Sequence, residues 1–461
     1  RTDATGTLTT TYDVDGNVTA EDFGLYRGVQ TYAYDLAGNL TRHTDTTGPG
    51  TTAQTNYAYG PTNLLTTVTE PLHGGSRPQT TFVYDDDSND LVERRLPSST
   101  GVVEHYDFDD DGRMREVRAV RGGTQLTRFA YEYDGELRSE VAWAPFGGTY
   151  EVTTSYAYDD SDRLVEAITP GGTNYGYAYD AASNRTRRTI TSSGGSAQET
   201  RYAYDVADRL CRSRTGGGAV SCATSTGLSG VTGYSHDGAG NLLSSTGGLE
   251  LRVNDAGQTT RLSSLDGGVS PYASYGGPGQ AERFAVNLDV YTTSLTGVTA
   301  RHELVGTGPT TRWVRDPRGN LISQRTATSA SWYLTDGLGS VVRLVDREGQ
   351  IAGLFIYGPY GEDQGELCSE DCAKSPWKFV GEHQDPTGMY KIGERYYSPE
   401  LGRWTQSDPV ANRMNPIMPG EPNLYAYAGC DPVNHTDPTG MSLEAVLCGF
   451  AAMGAVTAAV G

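Results

Sequence analysis

The chain has 461 residues, a formal net charge of −21, and 57 acidic against 36 basic side chains. That balance excludes a nucleic-acid backbone as a natural partner, because displacing counterions from phosphates takes Lys and Arg. With 59 Gly and 30 Tyr but only 9 Phe, the composition also argues against a thick oil-like core; tyrosine packs a ring yet tolerates water at its hydroxyl, which suits a wall of sheet wetted on one face.

Along the chain a marker tyrosine returns about every 25 residues, at Tyr34, Tyr59, Tyr84, Tyr133, Tyr158, Tyr179 and Tyr204, with Phe108 in the gap. Most copies read Tyr, small residue, Tyr, Asp, as in Tyr32-Ala33-Tyr34-Asp35 and Tyr202-Ala203-Tyr204-Asp205. Fixed spacing of this kind marks a repeat architecture. Side chains alternate along a strand, so both rings of each pair share one face. Turn residues follow, as in Asp15-Gly16-Asn17, Ala37-Gly38-Asn39 and Gly238-Ala239-Gly240-Asn241. Gly and Asn accept the positive φ of tight hairpin turns. A second alternating run, such as Leu164-Val165-Glu166, completes each hairpin. Hairpins that pair edge to edge predict one long antiparallel sheet, which its own twist makes coil. The repeats span residues 1–330 and degenerate after about 230, where His236-Asp237, Asn254-Asp255 and Arg315-Asp316 are the remnants.

Cys211 and Cys222 flank a Gly-rich segment, and Cys368 and Cys372 flank Ser-Glu-Asp. Each pair is spaced to close a small disulfide loop, as in an exported protein. Paired Cys-x-x-Cys or His-x-x-x-His sets are missing, as are a dinucleotide fingerprint and a P-loop, so neither metal nor cofactor is expected. Residues 445–461 carry no charge and are rich in Ala, Gly and Val. Their length is close to what could cross a bilayer, so membrane contact is expected only there. A packed helix opening a further domain is the alternative.

From Trp332 the texture changes to three dense motif blocks. The first holds Asp336-Gly337-Leu338-Gly339-Ser340 and Tyr357-Gly358-Pro359-Tyr360-Gly361. The second holds Phe379-Val380-Gly381, Asp385-Pro386-Thr387-Gly388-Met389-Tyr390, Arg395-Tyr396-Tyr397-Ser398-Pro399 and Gly402-Arg403-Trp404. The third holds Ser407-Asp408-Pro409, Asn423-Leu424-Tyr425, Asp431-Pro432-Val433-Asn434 and Asp437-Pro438-Thr439-Gly440-Met441. In this order, behind the tyrosine repeats, they resemble the core of the Rhs/YD-repeat family, which includes bacterial polymorphic toxins, the Tc toxin C component and the animal teneurins.

The resemblance implies an all-β fold in which YD-repeat antiparallel hairpins form a spiralling hollow shell, or cocoon, with a C-terminal Rhs core plug. Residues 1–330 would be the shell, 331–441 the core, and 442–461 the start of a variable toxin region. The core would be an intramolecular aspartic protease with Asp408 and Asp437 as its pair, cutting between Met441 and Ser442. Two neighbouring carboxylates do not readily both ionise, so one keeps a proton for the leaving amide while the other activates water. Substrate and catalyst share one chain, which favours a single turnover at high effective concentration. Arg403 would hold a carboxylate through a bidentate pair, with a structural role as the alternative. Asp385 and Asp431 read as turn residues before Pro.

Met441 stands where the family usually has Leu, Ser407 where many relatives have Arg, and 412–422 is an insertion. The partners implied are the chain's own toxin cargo, a secretion or delivery component and an immunity protein, in a secreted or cell-surface bacterial setting. The net charge suggests an acidic inner wall around a basic cargo. Two alternatives stay open: an extracellular adhesion or carbohydrate-binding scaffold without protease activity, and a shell that does not cleave.

Overall fold

The structure, a computed structural model, describes residues 2–3, 6–24, 28–47, 52–144, 151–263, 272–276, 282–303, 310–369, 375–409, 423–441 and 444–445. From Thr9–Tyr12 to Thr259–Ser263, strands follow one another in consecutive antiparallel pairs and form a long ribbon. A ten-stranded antiparallel sheet follows from Ala273–Gly276 to Asp363–Cys368. A small four-stranded sheet, His383–Gln384, Tyr390–Ile392, Arg395–Ser398 and Arg403–Trp404, forms the heart of the core block.

The repeat motif explains the ribbon atom by atom. In the hairpin of Val29–Tyr34 and Leu40–Asp45, the Asp35 carboxylate accepts the backbone N–H of Ala37 and of Asn39, each at 2.9 Å. Its other oxygen accepts Asn39 Nδ2 at 2.9 Å. A short acceptor side chain at the turn's first position thus replaces the missing backbone partners. Gly38 takes φ +82°, which glycine adopts without a Cβ penalty. Where the fourth residue after Asp is Arg, as at Arg163, its Nε makes the same bond to Asp159 at 2.9 Å.

The second tyrosine of the motif stitches repeats together. Tyr59 donates to the Leu40 carbonyl at 2.9 Å, Tyr158 to Arg138 at 2.8 Å, and Tyr204 to Arg185 at 2.8 Å. Each carbonyl belongs to the preceding hairpin's second strand. A β-bulge beside this tyrosine recurs in these hairpins and adds local twist. The geometry persists where the spacing in sequence has loosened: Tyr275 donates to Thr259 O at 2.7 Å and Tyr357 to Val341 O at 2.6 Å. Asp316 caps its turn with the same three contacts as Asp35.

The first ring of each motif faces inward. Tyr32, Tyr57, Phe82, Tyr106 and Tyr131 are buried in one cluster with Val314, Ile322, Trp332, Leu334 and Val342 of the second sheet. Farther along, Tyr175 and Tyr177 meet Tyr360 and Val433, and Tyr202 with Leu210, Leu242 and Leu262 meets Met389, Tyr396 and Leu401. One face of the ribbon therefore covers first the second sheet and then the core block, which makes the fold an all-β shell wound about its own C-terminal part. The central strands Leu321–Arg325 and Val341–Val345 are buried throughout, because their opposite face packs on Trp313, Phe355 and Trp377.

A cavity of about 120 Å3 lies on the enclosed side, lined by Tyr131, Trp143, Tyr156, Tyr357 and Phe379 among others. It has room for a side chain. Buried charges are of both signs, with Arg94, Arg138, Arg185 and Arg343 as well as Glu70, Glu104, Asp316 and Asp437. The boundary expected at 330 and 331 falls inside the second sheet, where Ser323 pairs with Trp332.

Candidate functional site

The repeat turns are the socket into which the core block docks. Arg185 Nη2 donates to Glu400 O at 2.7 Å, and Asn423 Nδ2 reaches Ala182 O at 3.0 Å and Asn184 Oδ1 at 2.7 Å. Tyr425 donates to Gly240 O at 2.8 Å and Ser407 to Ala239 O at 3.1 Å. The core block's own interior is aromatic: Phe379, Tyr390, Tyr397, Trp404 and Tyr427. Ser407 is thus held by a ribbon turn, and Asp408 follows it, its N–H bonded to Leu424 O at 3.0 Å.

Asp437 arrives from the other side, on a turn closed by Gly440 N–H to Asp437 O at 3.2 Å. Its Oδ1 accepts Met441 N–H at 3.0 Å and the Thr439 hydroxyl at 3.2 Å. Its Oδ2 accepts Arg395 Nη2 at 3.0 Å, and the same nitrogen lies 3.1 Å from Asp408 Oδ2. The two aspartates are therefore brought together, bridged by one guanidinium nitrogen. Asp437 is nearly sealed, at 4 % side-chain exposure against 18 % for Asp408.

Arg395 is the residue that reading the sequence missed. It sits in the Arg395-Tyr396-Tyr397 motif, on the strand Arg395–Ser398. Its guanidinium stacks 4.1 Å over the Trp404 ring, donates to Leu424 O at 3.2 Å and reaches Gly440 O through Nε. A planar fork with five donors suits several acceptors at once. Arg403, the expected partner of a carboxylate, is placed elsewhere: it donates to Asp208 O at 2.7 Å and lies between the rings of Tyr204 and Tyr425. Its work is docking the core block on the ribbon.

Two glycines bring the 437–441 loop onto the hairpin of residues 390–398. Gly393 has φ +47°, and a Cβ there would stand 1.9 Å from Thr439 O. Gly440 has φ +65°, and a Cβ there would stand 2.6 Å from Ile392 O. Backbone thus lies directly on backbone, with Glu394 N–H bonded to Thr439 O at 2.9 Å. Met441 is exposed at 37 %. Ser442 and the insertion 412–422 lie outside the described residues.

Asp385 does occupy a turn, with its N–H on Met389 O at 2.8 Å, but its carboxylate is buried against Arg283 Nη1 at 2.8 Å. Arg283 holds that carboxyl well below its usual range, against the opposing effect of burial. Asp431 accepts Asn434 Nδ2 at 2.8 Å, and burial pushes it up to about 7. Cys211 and Cys222 are joined as a disulfide, with Cα atoms 5.3 Å apart. Cys368 is also disulfide-bonded, while Cys372 lies outside the described residues. Among the described residues, no group of His, Cys, Asp or Glu is placed to hold a metal ion, and no helix is long and apolar enough to cross a membrane. Residues 446–461, most of the stretch where membrane contact was expected, are outside them.

Comparison with known proteins matches the teneurin YD-shell family over residues 302–433 and the RHS repeat family over 158–197. Residues 158–197 and 302–433 thus carry the repeat and YD-shell signatures of the Rhs/YD-repeat family. Salivary gland surface protein 1 of Aedes aegypti is 34 % identical over 108 residues, 23 % of this chain and 3 % of that protein. Toxin protein Tse5 of Pseudomonas aeruginosa is 33 % identical over 129 residues, 27 % of this chain and 9 % of the toxin. The crystal structure of TcdB2-TccC3 without its hypervariable C-terminal region superposes with a TM-score of 0.72 at 18 % identity, over 94 % of this chain and 23 % of that one. At this identity the likeness speaks for the fold. The chain spans only a small part of the length of each of these relatives.

Proposed function

We propose that this chain is the closing end of an Rhs-type toxin shell and that it cuts itself once, between Met441 and Ser442, freeing a C-terminal toxin that stays enclosed as cargo. The observation that supports this reading is the convergence of Asp408 and Asp437 on Arg395 Nη2 while Asp437 also holds the N–H of Met441. Asp408, the more exposed carboxylate, takes a proton from water as the water attacks the Met441 carbonyl carbon. Arg395 offsets the negative charge that develops on the carbonyl oxygen. Asp408 returns the proton to the Ser442 nitrogen, the C–N bond breaks, and a new carboxylate and a new amine result. Asp437 orients both Met441 and Arg395. This division of labour differs from a pair sharing one proton, because a single guanidinium nitrogen lies between the two carboxylates.

The rest of the cargo chamber would come from the remainder of a longer chain or assembly, since this segment covers 23 % of the TcdB2-TccC3 chain. A bacterial secreted setting, a delivery component and an immunity protein belong to the same proposal. The test is the intact mass of a chain extended beyond Gly461. Two fragments meeting at Met441–Ser442 are expected, and one uncut product from Asp408→Asn or Asp437→Asn. A double-Asn variant that still splits after Met441 refutes the assignment. The likeness to a mosquito surface protein favours a second reading, a surface scaffold without cleavage. An unbroken parent chain would select it.

A further inference from the structure

The turn that carries the cleavage loop has a buried charge of its own. Lys391 is 9 % exposed, and its ammonium donates to the carbonyl of Gly393, two residues along the chain. Residues 392–395 are the surface against which Thr439 and Gly440 lie. Gly393 admits no side chain against Thr439 O, Glu394 N–H binds that same oxygen, and Arg395 reaches Gly440 O. A hairpin turn with φ of +47° at Gly393 has few local constraints of its own. A donor that spans the turn and grips its carbonyl removes that freedom. Displacement of the turn by an ångström would move Arg395 and the loop together, and misplacement of this size costs about a hundredfold in rate.

We propose that Lys391 is a positioning residue for self-cleavage: by holding the Gly393 carbonyl, it fixes the 392–395 turn under the loop that contains the bond to be cut. The inference rests on the self-cleavage reading above. It assigns Lys391 no contact with the reacting atoms. The groups facing its ammonium are Arg283, Asp385, Glu382 and Glu394, with the Tyr396 ring at 5.9 Å. Burial, with Arg283 beside it, pushes the ammonium down to about 8. Its charge, and with it the stronger grip on the carbonyl, is therefore present below pH 8 and lost above.

The experiment uses the chain extended beyond Gly461, dissolved in urea and diluted to start folding, with the two fragments followed on a denaturing gel. Lys391→Met is expected to slow cleavage at least tenfold, and Lys391→Arg to restore it to within about threefold of the parent, because Arg keeps a charged donor. Unfolding midpoints, measured in an Asp437→Asn background so that cleavage does not intrude, should match for all three. The parent rate should also fall between pH 7 and pH 9 while the Lys391→Arg rate stays level. Cleavage of Lys391→Met at the parent rate overturns the inference. If Lys391→Met does not fold, parallel pH profiles of the parent and Lys391→Arg overturn it instead. If the parent chain itself stays uncut, the self-cleavage reading has failed, a result distinct from either of these.

Discussion

Asp35 and Asp316 stand in the same turn and make the same three contacts, yet their carboxyls respond in opposite directions. Asp35 lies on the exposed rim of the ribbon, where its bond from the Asn39 side chain holds it below the usual carboxylate range. Asp316 lies in the second sheet, buried, and there burial raises it in spite of identical donors. Local hydrogen bonds build the motif everywhere, but the surrounding medium decides what its charge does. The ribbon uses the motif to make a wall. The core block, where the same shell turns inward, gathers carboxylates and arginines in a dry setting, where they hold each other in place.

The largest expected effect is at the bridge between those carboxylates. Arg395→Met should leave Asp408 and Asp437 facing each other without the guanidinium that bridges them. Breaking a buried pair in this way costs about 3–5 kcal/mol, and losing a donor to the developing oxyanion lowers the rate by about 10²–10³. Chemical denaturation and the two-fragment assay read the two losses separately. A variant that cleaves normally would mean that the bridge is only structural. Gly393→Ala comes next: with Thr439 O in the way of the new methyl group, the loop must lift or the hairpin must shift, at about 2–3 kcal/mol. Cleavage should fail while the tyrosine repeats of the ribbon keep their hydrogen-exchange protection. Uniform loss of protection through residues 29–215 would show instead that ribbon and core unfold as one.

These two regions were not equally legible in the sequence. The wall could be read from Tyr-x-Tyr-Asp and its Gly or Asn because every contact is local or reaches the neighbouring hairpin. Even Asp316, in a stretch whose spacing had decayed, kept its cap, since the turn chemistry survives when the period does not. The site was legible only in part. Asp408 and Asp437 were named through the resemblance of their motifs, but the residue that joins them was not. Arg403 and Arg395 look alike on paper, each beside aromatic residues in a dense motif block. What separates them is which surface each faces after docking, on the ribbon turn at Asp208 or on the loop at Gly440. In the same way the turn reading of Asp385 captured its backbone and missed Arg283, which the fold delivers from a distant strand. Side chains whose partners come from another layer leave no local pattern to read.

A smaller effect tests the stitching of the wall. Tyr59→Phe removes one partly buried bond to Leu40 O and should cost about 1 kcal/mol in the urea midpoint, with cleavage unchanged. A loss of cleavage would mean that strain in the ribbon travels to the site.

The subtlest test uses pH to pull wall and core in opposite directions. Asp13 and Asp35 are lowered by the bonds they accept from Asn17 and Asn39, so their contribution is present at neutral pH and is lost as pH falls through the acid range. Asp431 and Glu382 are raised by burial to about 7 each. For a raised carboxyl the sign reverses. The folded state holds the proton more tightly than the unfolded chain, so stability is greatest when the group is protonated. It declines as pH rises from about 4, the unfolded value, to about 7. Hydrogen exchange of an Asp437→Asn chain, corrected for intrinsic rates, should therefore show amides of 380–383 and 431–435 several-fold better protected at pH 5 than at pH 8. Amides of 35–45 should be unchanged over that interval and weaken only below pH 4. Asp431→Asn should flatten the profile of 431–435 and leave 380–383 as before, because each carboxyl acts on the backbone it touches. If both segments followed the ribbon, burial in the core block would be too shallow to reverse the charge preference, and Asp431 would behave as a rim residue does.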